Sequence, residues 1–321
     1  KLREEKMKKK TVALLSGGIS SEREVSLNSG DQVYEALEKD KYDILRYDPA
    51  TDIKRLVADA AKIDVALIIL HGPYGEDGTI QGLLDLLDIP YQGSGVLGSA
   101  LAMNKLVAKQ LYEKVGLPIP PYILIKSRDS INPKSVSKCL GWPVVVKPVQ
   151  SGSSIGMSIV KKEEELESAL KSAFKQDTCV LVEGYIDGIE LTGGVIGNET
   201  LEALPLIEII PSESHTFFDY EAKYTAGVTQ EICPARISNT LTEQAQSFAK
   251  AAHTALFCMG YSRTDMILKK DELFVLETNT IPGMTPTSLL PQAAQKAGLS
   301  FSQLLDRLIE LGISAHGTHK S

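Results

Sequence analysis

The chain has 321 residues, 43% hydrophobic and 23% charged, and its 34 Lys and Arg against 41 Asp and Glu give a net charge of −7. That balance is ordinary for a globular enzyme long enough to build two or three lobes, each with its own core. It argues against a general nucleic-acid binder, because no surplus of Lys and Arg remains to neutralise phosphates. The four cysteines, Cys139, Cys179, Cys233 and Cys258, form no CxxC pair, so reduced thiols in a cytoplasm are expected. The basic start is followed by no apolar stretch of signal-peptide length, and the longest apolar run is 65–70. No membrane segment is expected, and residues 1–6, before Met7, read as a frayed upstream extension.

Strand and helix alternate through the first hundred residues. A strand at 11–15 ends in Ser16-Gly17-Gly18, and 24–38 reads as a helix with Val25, Val33, Ala36 and Leu37 on its apolar side. Strand-like 42–47, helical 53–61 and the apolar run 65–70 continue a βαβ rhythm, which predicts a parallel sheet with ligands at its carboxyl end. One helix is expected over 96–115, stopped by Gly116 and the prolines after it. A strand–loop–strand unit at 143–160, a helix at 162–174 and a strand at 179–183 come next. Beyond Gly188 strands dominate to Pro211, followed by a polar loop at 212–230, a helix at 241–256, a hairpin at 262–278 and a closing helix at 301–311.

The hairpin carries the most chemistry. If Lys269 pairs with Leu273, Asp265 faces Glu277 and Arg263 faces Asn279, all on one face. Opposed residues lie about 4.5–5.5 Å apart at Cβ, and like charges there repel. Two carboxylates and an amide so placed suit Mg²⁺ or Mn²⁺, with phosphates completing the shell. The competing reading is a solvated face with scattered charges. Met266, Leu268, Phe274 and Leu276, which fit an apolar opposite face, argue against it.

A second element, KPVQSGSSIG from Lys147 to Gly156, ends an apolar strand in a lysine and a Gly/Ser loop able to cradle an anion. It is not a Walker A loop, and alone it is a weak signal. Gly93–Gly98 fits GxGxxG but lacks the acid about 20 residues on. Gly152–Gly156 fits GxSxG, yet a strand rather than a helix is expected after it. His71, at the end of a buried strand, is read as a ligand contact or a capped loop histidine. Lys223 and Tyr224 fall in the long polar loop, a lid or a plain surface loop.

Taken in order, GGISSEREVSL (17–27), HGPYGEDGTIQG (71–82), IPYQGSG (89–95), VVVKPVQSGSSIG (144–156), FFDYEAKY (217–224), CPA (233–235), SRTDM (262–266) and LETNTIPGMTPTSLLP (276–291) resemble the D-alanine–D-alanine ligase family of the ATP-grasp superfamily. The resemblance implies an α/β and α+β architecture: an N-terminal parallel α/β lobe, 1–104, then two lobes, 105–188 and 189–321, whose antiparallel sheets sandwich ATP. It also implies site residues. Lys105 and Lys147 would meet phosphates, Glu183 and Glu190 adenine and ribose, and Ser154 the loop closing over the phosphates. Asp265, Glu277 and Asn279 would hold two Mg²⁺ or Mn²⁺ ions. Glu22, linked to Ser153 and Tyr224, would anchor the first D-alanine, near His71. Arg263 and the Gly283 N–H would hold the oxyanion, and Ser288 the second carboxylate. Lys223 and Tyr224 would sit in the lid over the nucleotide, where a tyrosine resembles the dipeptide-forming members. Leu191-Thr192-Gly193-Gly194 is richer in glycine than the family pattern, which would loosen the start of that strand.

The implied reaction joins two D-alanines at the expense of ATP through an acyl phosphate, for peptidoglycan precursors, in a cytoplasmic homodimer without nucleic-acid or membrane partners. A D-alanine–D-lactate ligase, another ATP-grasp carboxylate–amine ligase and a non-catalytic nucleotide binder remain as alternatives.

Overall fold

The computed structural model describes residues 8–127, 133–150, 152, 155–211 and 229–318. The expectations for Ser153, Ser154, Lys223, Tyr224, residues 1–6 and most of the loop 212–230 lie outside the described residues.

The first sheet is parallel and formed by β1 (Lys10–Ser16), β2 (Tyr42–Tyr47) and β3 (Val65–Ile69) in the order β2-β1-β3. All five residues of β3 are buried, as expected of a strand covered on both faces. Helices α1 (Arg23–Ala36), α2 (Ile53–Asp59) and α3 (Thr79–Leu86) flank it. α1 buries Val33, with Leu37 just past its end, as expected, but Val25 is only half-buried and the other buried residues of the helix are Ser26, Ser29 and Gly30. Ser26 Oγ accepts from the Gly17 N–H at 2.8 Å and donates to the Ile69 carbonyl. A Cβ at Gly30 would meet Ser16 at 2.5 Å. Small polar residues thus let the helix press onto the strand ends, a pattern that counting apolar side chains misses.

The single helix expected over 96–115 is two helices, α4 (Val96–Met103) and α5 (Lys105–Lys114). Asn104 separates them with extended backbone and caps α5 by accepting from the Val107 N–H at 3.1 Å. The break places Lys105 at the first position of α5.

The second sheet is antiparallel, with β4 (Tyr122–Lys126), β5 (Val144–Pro148), β6 (Ser158–Val160) and β7 (Cys179–Gly184) in the order β4-β7-β5-β6. Helices α6 (Pro133–Leu140) and α7 (Leu166–Ala173) cover one face, where Val136, Val144, Val146, Leu166, Leu170 and Val182 form a core.

The third sheet runs β11-β10-β8-β12-β13, with β9 beside β8; its strands are β8 (Ile189–Ile196), β9 (Glu202–Ala203), β10 (Ile207–Pro211), β11 (Thr229–Ile232), β12 (Tyr261–Lys269) and β13 (Glu272–Asn279). Three helices accompany it: α8 (Asn239–Ala255), α9 (Leu289–Lys296) and α10 (Phe301–Thr318). Thr229 and Gln230, expected in the polar loop, already belong to β11. Gly193 and Gly194 do not interrupt β8. A Cβ at Gly193 would lie 3.2 Å from Ala249 on α8, and one at Gly194 3.0 Å from Leu204, so both glycines allow close packing.

The cores do not follow the sheets one to one. Val12, Leu14, Val65 and Leu67 of the parallel sheet share a core with Tyr261, Leu290, Leu305 and Leu308. Ala108 and Tyr112 of α5 pack with Leu191, Ala249, Met266 and Val275 of the third sheet and its helix. Among the described residues no helix is long and apolar enough to cross a membrane.

Candidate active site

The register of the β12–β13 hairpin places the acidic residues. Lys269 pairs with Glu272, not Leu273, because the turn is tighter than expected, and the ladder runs Leu268–Leu273, Ile267–Phe274, Met266–Val275. A bulge at Leu276 then absorbs one residue of β13, after which Asp265 pairs with Glu277 and Arg263 with Asn279. The expected pairing of the polar residues is restored, but the apolar face is different. Leu273 and Val275 join Met266 and Leu268 in the core, whereas Leu276 lines the open cleft beside Ile267 and Glu277.

On the cleft side Arg263 grips Asp265 with two contacts, Nε to Oδ1 at 2.9 Å and a terminal nitrogen to Oδ2 at 2.8 Å. Thr192 Oγ1 donates to the same Oδ1 at 2.7 Å. Asn279 Oδ1 accepts the Ile281 N–H at 2.9 Å and retains a second lone pair. Lys105 Nζ lies 3.8 Å from Glu277 Oε2. Asp265, Glu277 and Asn279 therefore offer oxygen donors only, the set a hard divalent cation takes. Among the described residues no three His, Cys, Asp or Glu side chains form a metal-holding group. Such an ion would draw its remaining oxygens from a bound phosphate.

Two cavities meet at Lys105 and Glu277, which line both. The larger, about 480 Å³, is also lined by Glu22, His71, Arg263, Gly283 and Ser288, so residues from all along the chain converge there. Glu22 is 3% exposed. The glycines around it are there for space: a Cβ at Gly72 or Gly152 would lie 2.9 or 3.0 Å from Glu22 Oε2. His71 is buried, and its Nε2 has no hydrogen-bond partner among the described residues. Burial foremost holds its pKa below the ordinary value; Glu22 pulls it up and Arg263 pushes it down. Ser288 Oγ accepts from the Thr285 N–H at 3.1 Å at the entrance to α9.

The smaller cavity, between the second and third sheets, is lined by Lys147, Glu183, Glu190, Ile159, Met266 and Leu276 among others. Its walls are apolar sheet faces with lysines at one end, a shape suited to a flat heterocycle carrying an anionic tail.

Sequence reasoning overlooked Glu76, Lys109 and Glu231. Glu76 lines the larger cavity, and its carboxyl is pushed up to about 8, by burial first and by Glu22 second. The Gly72 N–H donates to it at 2.6 Å. Its signal was its place in HGPYGEDG. Lys109 follows Lys105 by one helical turn on the same face, a spacing hidden by the unexpected helix break. Glu231, on β11, also lines the larger cavity and accepts from Gln292; nothing in the sequence marked it.

Comparison with known proteins decides what this constellation belongs to. The family model for the D-ala D-ala ligase C-terminus matches residues 111–310, and that for the D-ala D-ala ligase N-terminus matches residues 48–94. The chain belongs to the D-alanine–D-alanine ligase family. The D-alanine–D-alanine ligase of Syntrophobacter fumaroxidans is 63% identical over 305 residues, covering 95% of this chain and 98% of that protein. That of Desulfotalea psychrophila is 53% identical over 314 residues, covering 97% and 98%. The solved D-alanine–D-alanine ligase of Bacillus anthracis complexed with ATP superimposes with a TM-score of 0.84 at 35% identity, covering 97% of this chain and 99% of that one. The antiparallel sheets facing each other across the smaller cavity are the ATP-grasp arrangement of this ligase family.

Proposed function

We propose that this chain ligates two D-alanines to D-alanyl-D-alanine at the expense of ATP, which is cleaved to ADP and phosphate through an acyl phosphate, as a cytoplasmic homodimer supplying peptidoglycan precursors. The observation that carries the reading is the meeting of two cavities at Lys105 and Glu277: a polar one floored by Glu22, His71 and Arg263, and a flat one ending in Lys147. An amino acid in the first would meet the terminal phosphate of a nucleotide in the second. The working lobes are 1–104, 105–188 and 189–321, with α5 packed on the third sheet.

In this scheme Glu22, with Ser153 and Tyr224, holds the ammonium of the first D-alanine beside His71. The D-alanine carboxylate attacks the γ-phosphorus, the bond to the bridging oxygen breaks, and ADP leaves an acyl phosphate. Lys105 and Lys147 offset the charge on the transferring group, Ser154 and Lys223 close over it, and Glu183 and Glu190 seat the nucleoside. Asp265, Glu277 and Asn279 would hold Mg²⁺ or Mn²⁺, two ions being expected, which when bound neutralise phosphate charge and polarise the γ-phosphoryl group. The amine of the second D-alanine, its carboxylate on Ser288 and its extra proton shed, attacks the activated carbonyl. Arg263 and the Gly283 N–H stabilise the oxyanion until phosphate departs.

A coupled assay of ADP release tests the reading. Turnover is expected with D-alanine alone and none with L-alanine. Activity only when D-lactate accompanies D-alanine would replace it with depsipeptide ligation, and nucleotide binding without turnover would remove the enzyme altogether. Glu22→Gln is expected to raise the KM for D-alanine about tenfold or more, the weight of one charge-assisted contact, with the KM for ATP nearly unchanged.

A further inference from the structure

Lys109 takes no part in the scheme above, yet it is the most deeply buried cation in the nucleotide region. The residue is 0% exposed. Its Nζ lies 3.2 Å from Glu183 Oε1, and Lys147 Nζ approaches the same oxygen at 2.9 Å. Glu183 itself is 2% exposed. The Lys109 ammonium also stands over the Tyr122 ring, 5.7 Å from its centroid. Two ammonium groups thus share one carboxylate oxygen in a nearly dry place, and the cluster carries a net positive charge.

That arrangement is more than Glu183 needs. Neither contact is a hydrogen bond, since Lys109 Nζ and Glu183 Oε1 have no hydrogen-bond partner among the described residues, but a single lysine at 2.9 Å already neutralises the carboxylate, and adding a second brings two like charges together at a cost. The strain is visible on Lys109: burial foremost lowers its pKa to about 8, with Glu183 and Glu277 pulling it up and Lys147 pushing it down. With Lys147 as its only partner, Glu183 would form a neutral contact pair. An incoming phosphate would then have to pull Lys147 away from a carboxylate in a site of low dielectric, where such pairs hold strongly. A second cation on Oε1 divides the carboxylate's charge and leaves Lys147 with attraction to spare.

We propose that Lys109 is a positioning residue that occupies Glu183 and so keeps the Lys147 ammonium available to the nucleotide phosphates. The proposal rests on the reading of Lys147 as a phosphate contact. It assigns Lys109 no contact with substrate. Helix geometry explains how the two lysines of α5 divide the work: Lys105 at the first position reaches the junction of the cavities, and Lys109, one turn further on, reaches under it.

The test separates phosphate recognition from nucleoside recognition. Calorimetric Kd values for adenosine and for ADP, in the full chain with Mg²⁺, give a ratio that measures what the phosphates contribute. Lys109→Met is expected to cut that ratio about tenfold, equivalent to roughly 1.4 kcal/mol, with adenosine affinity little changed. Lys109→Arg, which keeps the charge, is expected to retain the ratio. The double variant Lys109→Met/Glu183→Gln removes the competing carboxylate along with the cation and is expected to return the ratio to the wild-type value. It exchanges the buried carboxylate for a neutral amide and leaves Lys147, which lines the nucleotide cavity, as the one charge of the cluster, so it remains informative if Lys109→Met alone does not fold. Lys147→Met should lower the ratio in the wild type and lower it little further beside Lys109→Met, because both act through one ammonium. Equal losses for adenosine and ADP, a double variant still tenfold impaired, or fully multiplying effects of the two lysine changes would overturn the proposal. A wild-type ratio indifferent to Lys147→Met would instead overturn the underlying phosphate assignment.

Discussion

Glu76 shows how the site uses burial to set charge. Its carboxyl is pushed up to about 8 from an ordinary 4.5, chiefly because burial disfavours the anion and secondarily because Glu22 is close. Between those two values the folded protein keeps a proton that the unfolded chain has released. Stability contributed by this group is therefore full below pH 4.5 and is lost as pH rises toward 8. Glu76→Gln keeps the size and removes the titration. Urea midpoints measured from pH 5 to pH 8 are expected to decline less in the variant than in the wild type. Equal slopes would show that Glu76 does not hold its proton. Glu22, His71 and Arg263 could be named from the sequence because each stands in a motif with a distinctive neighbourhood. Glu76 stood in the same motif, but its protonation follows from what surrounds it in space.

At the scale of elements, the bulge in β13 matters most. Pairing of Lys269 with Leu273 would put Leu276 in the core with Met266, but the two-residue turn at Lys270-Asp271 puts Leu273 and Val275 there instead, and the bulge at Leu276 brings Glu277 back to the cleft side opposite Asp265. Two substitutions distinguish the faces. Val275→Ala, at a position 0% exposed, is expected to cost about 2 kcal/mol of stability with nucleotide affinity retained. Leu276→Ala is expected to cost less than about 1 kcal/mol but to weaken ATP binding severalfold, since its side chain lines the cleft. Denaturant midpoints and KM for ATP read the two effects, and the opposite pattern would restore the unbulged register. The break at Asn104 makes the same point for a helix. Residues 96–115 read as one helix from sequence, and only the cap that Asn104 supplies, with the Lys105 N–H donating to the Val149 carbonyl at 3.1 Å, shows that the segment must turn.

The whole molecule is less divisible than its sheets suggest. The parallel sheet shares its core with α9, α10 and Tyr261, and Asp306 on α10 accepts from Lys41 at 2.7 Å and from the Tyr42 hydroxyl at 2.9 Å. The fragment 8–94 is accordingly expected not to fold alone, its Val12, Leu14 and Leu67 side chains being stripped of partners. A cooperative thermal transition of that fragment by circular dichroism would contradict this. By itself the sequence determined the alternation of strands and helices, because periodicity is a local property, and the motifs that carry the family resemblance, which in turn implied the three lobes and the residue types of the site. Only the tertiary structure decided which strand end bulges, where α5 begins and packs, and that two buried lysines converge on Glu183. Those outcomes depend on contacts between segments far apart in the chain, whose strength is set by burial rather than by any neighbour in sequence.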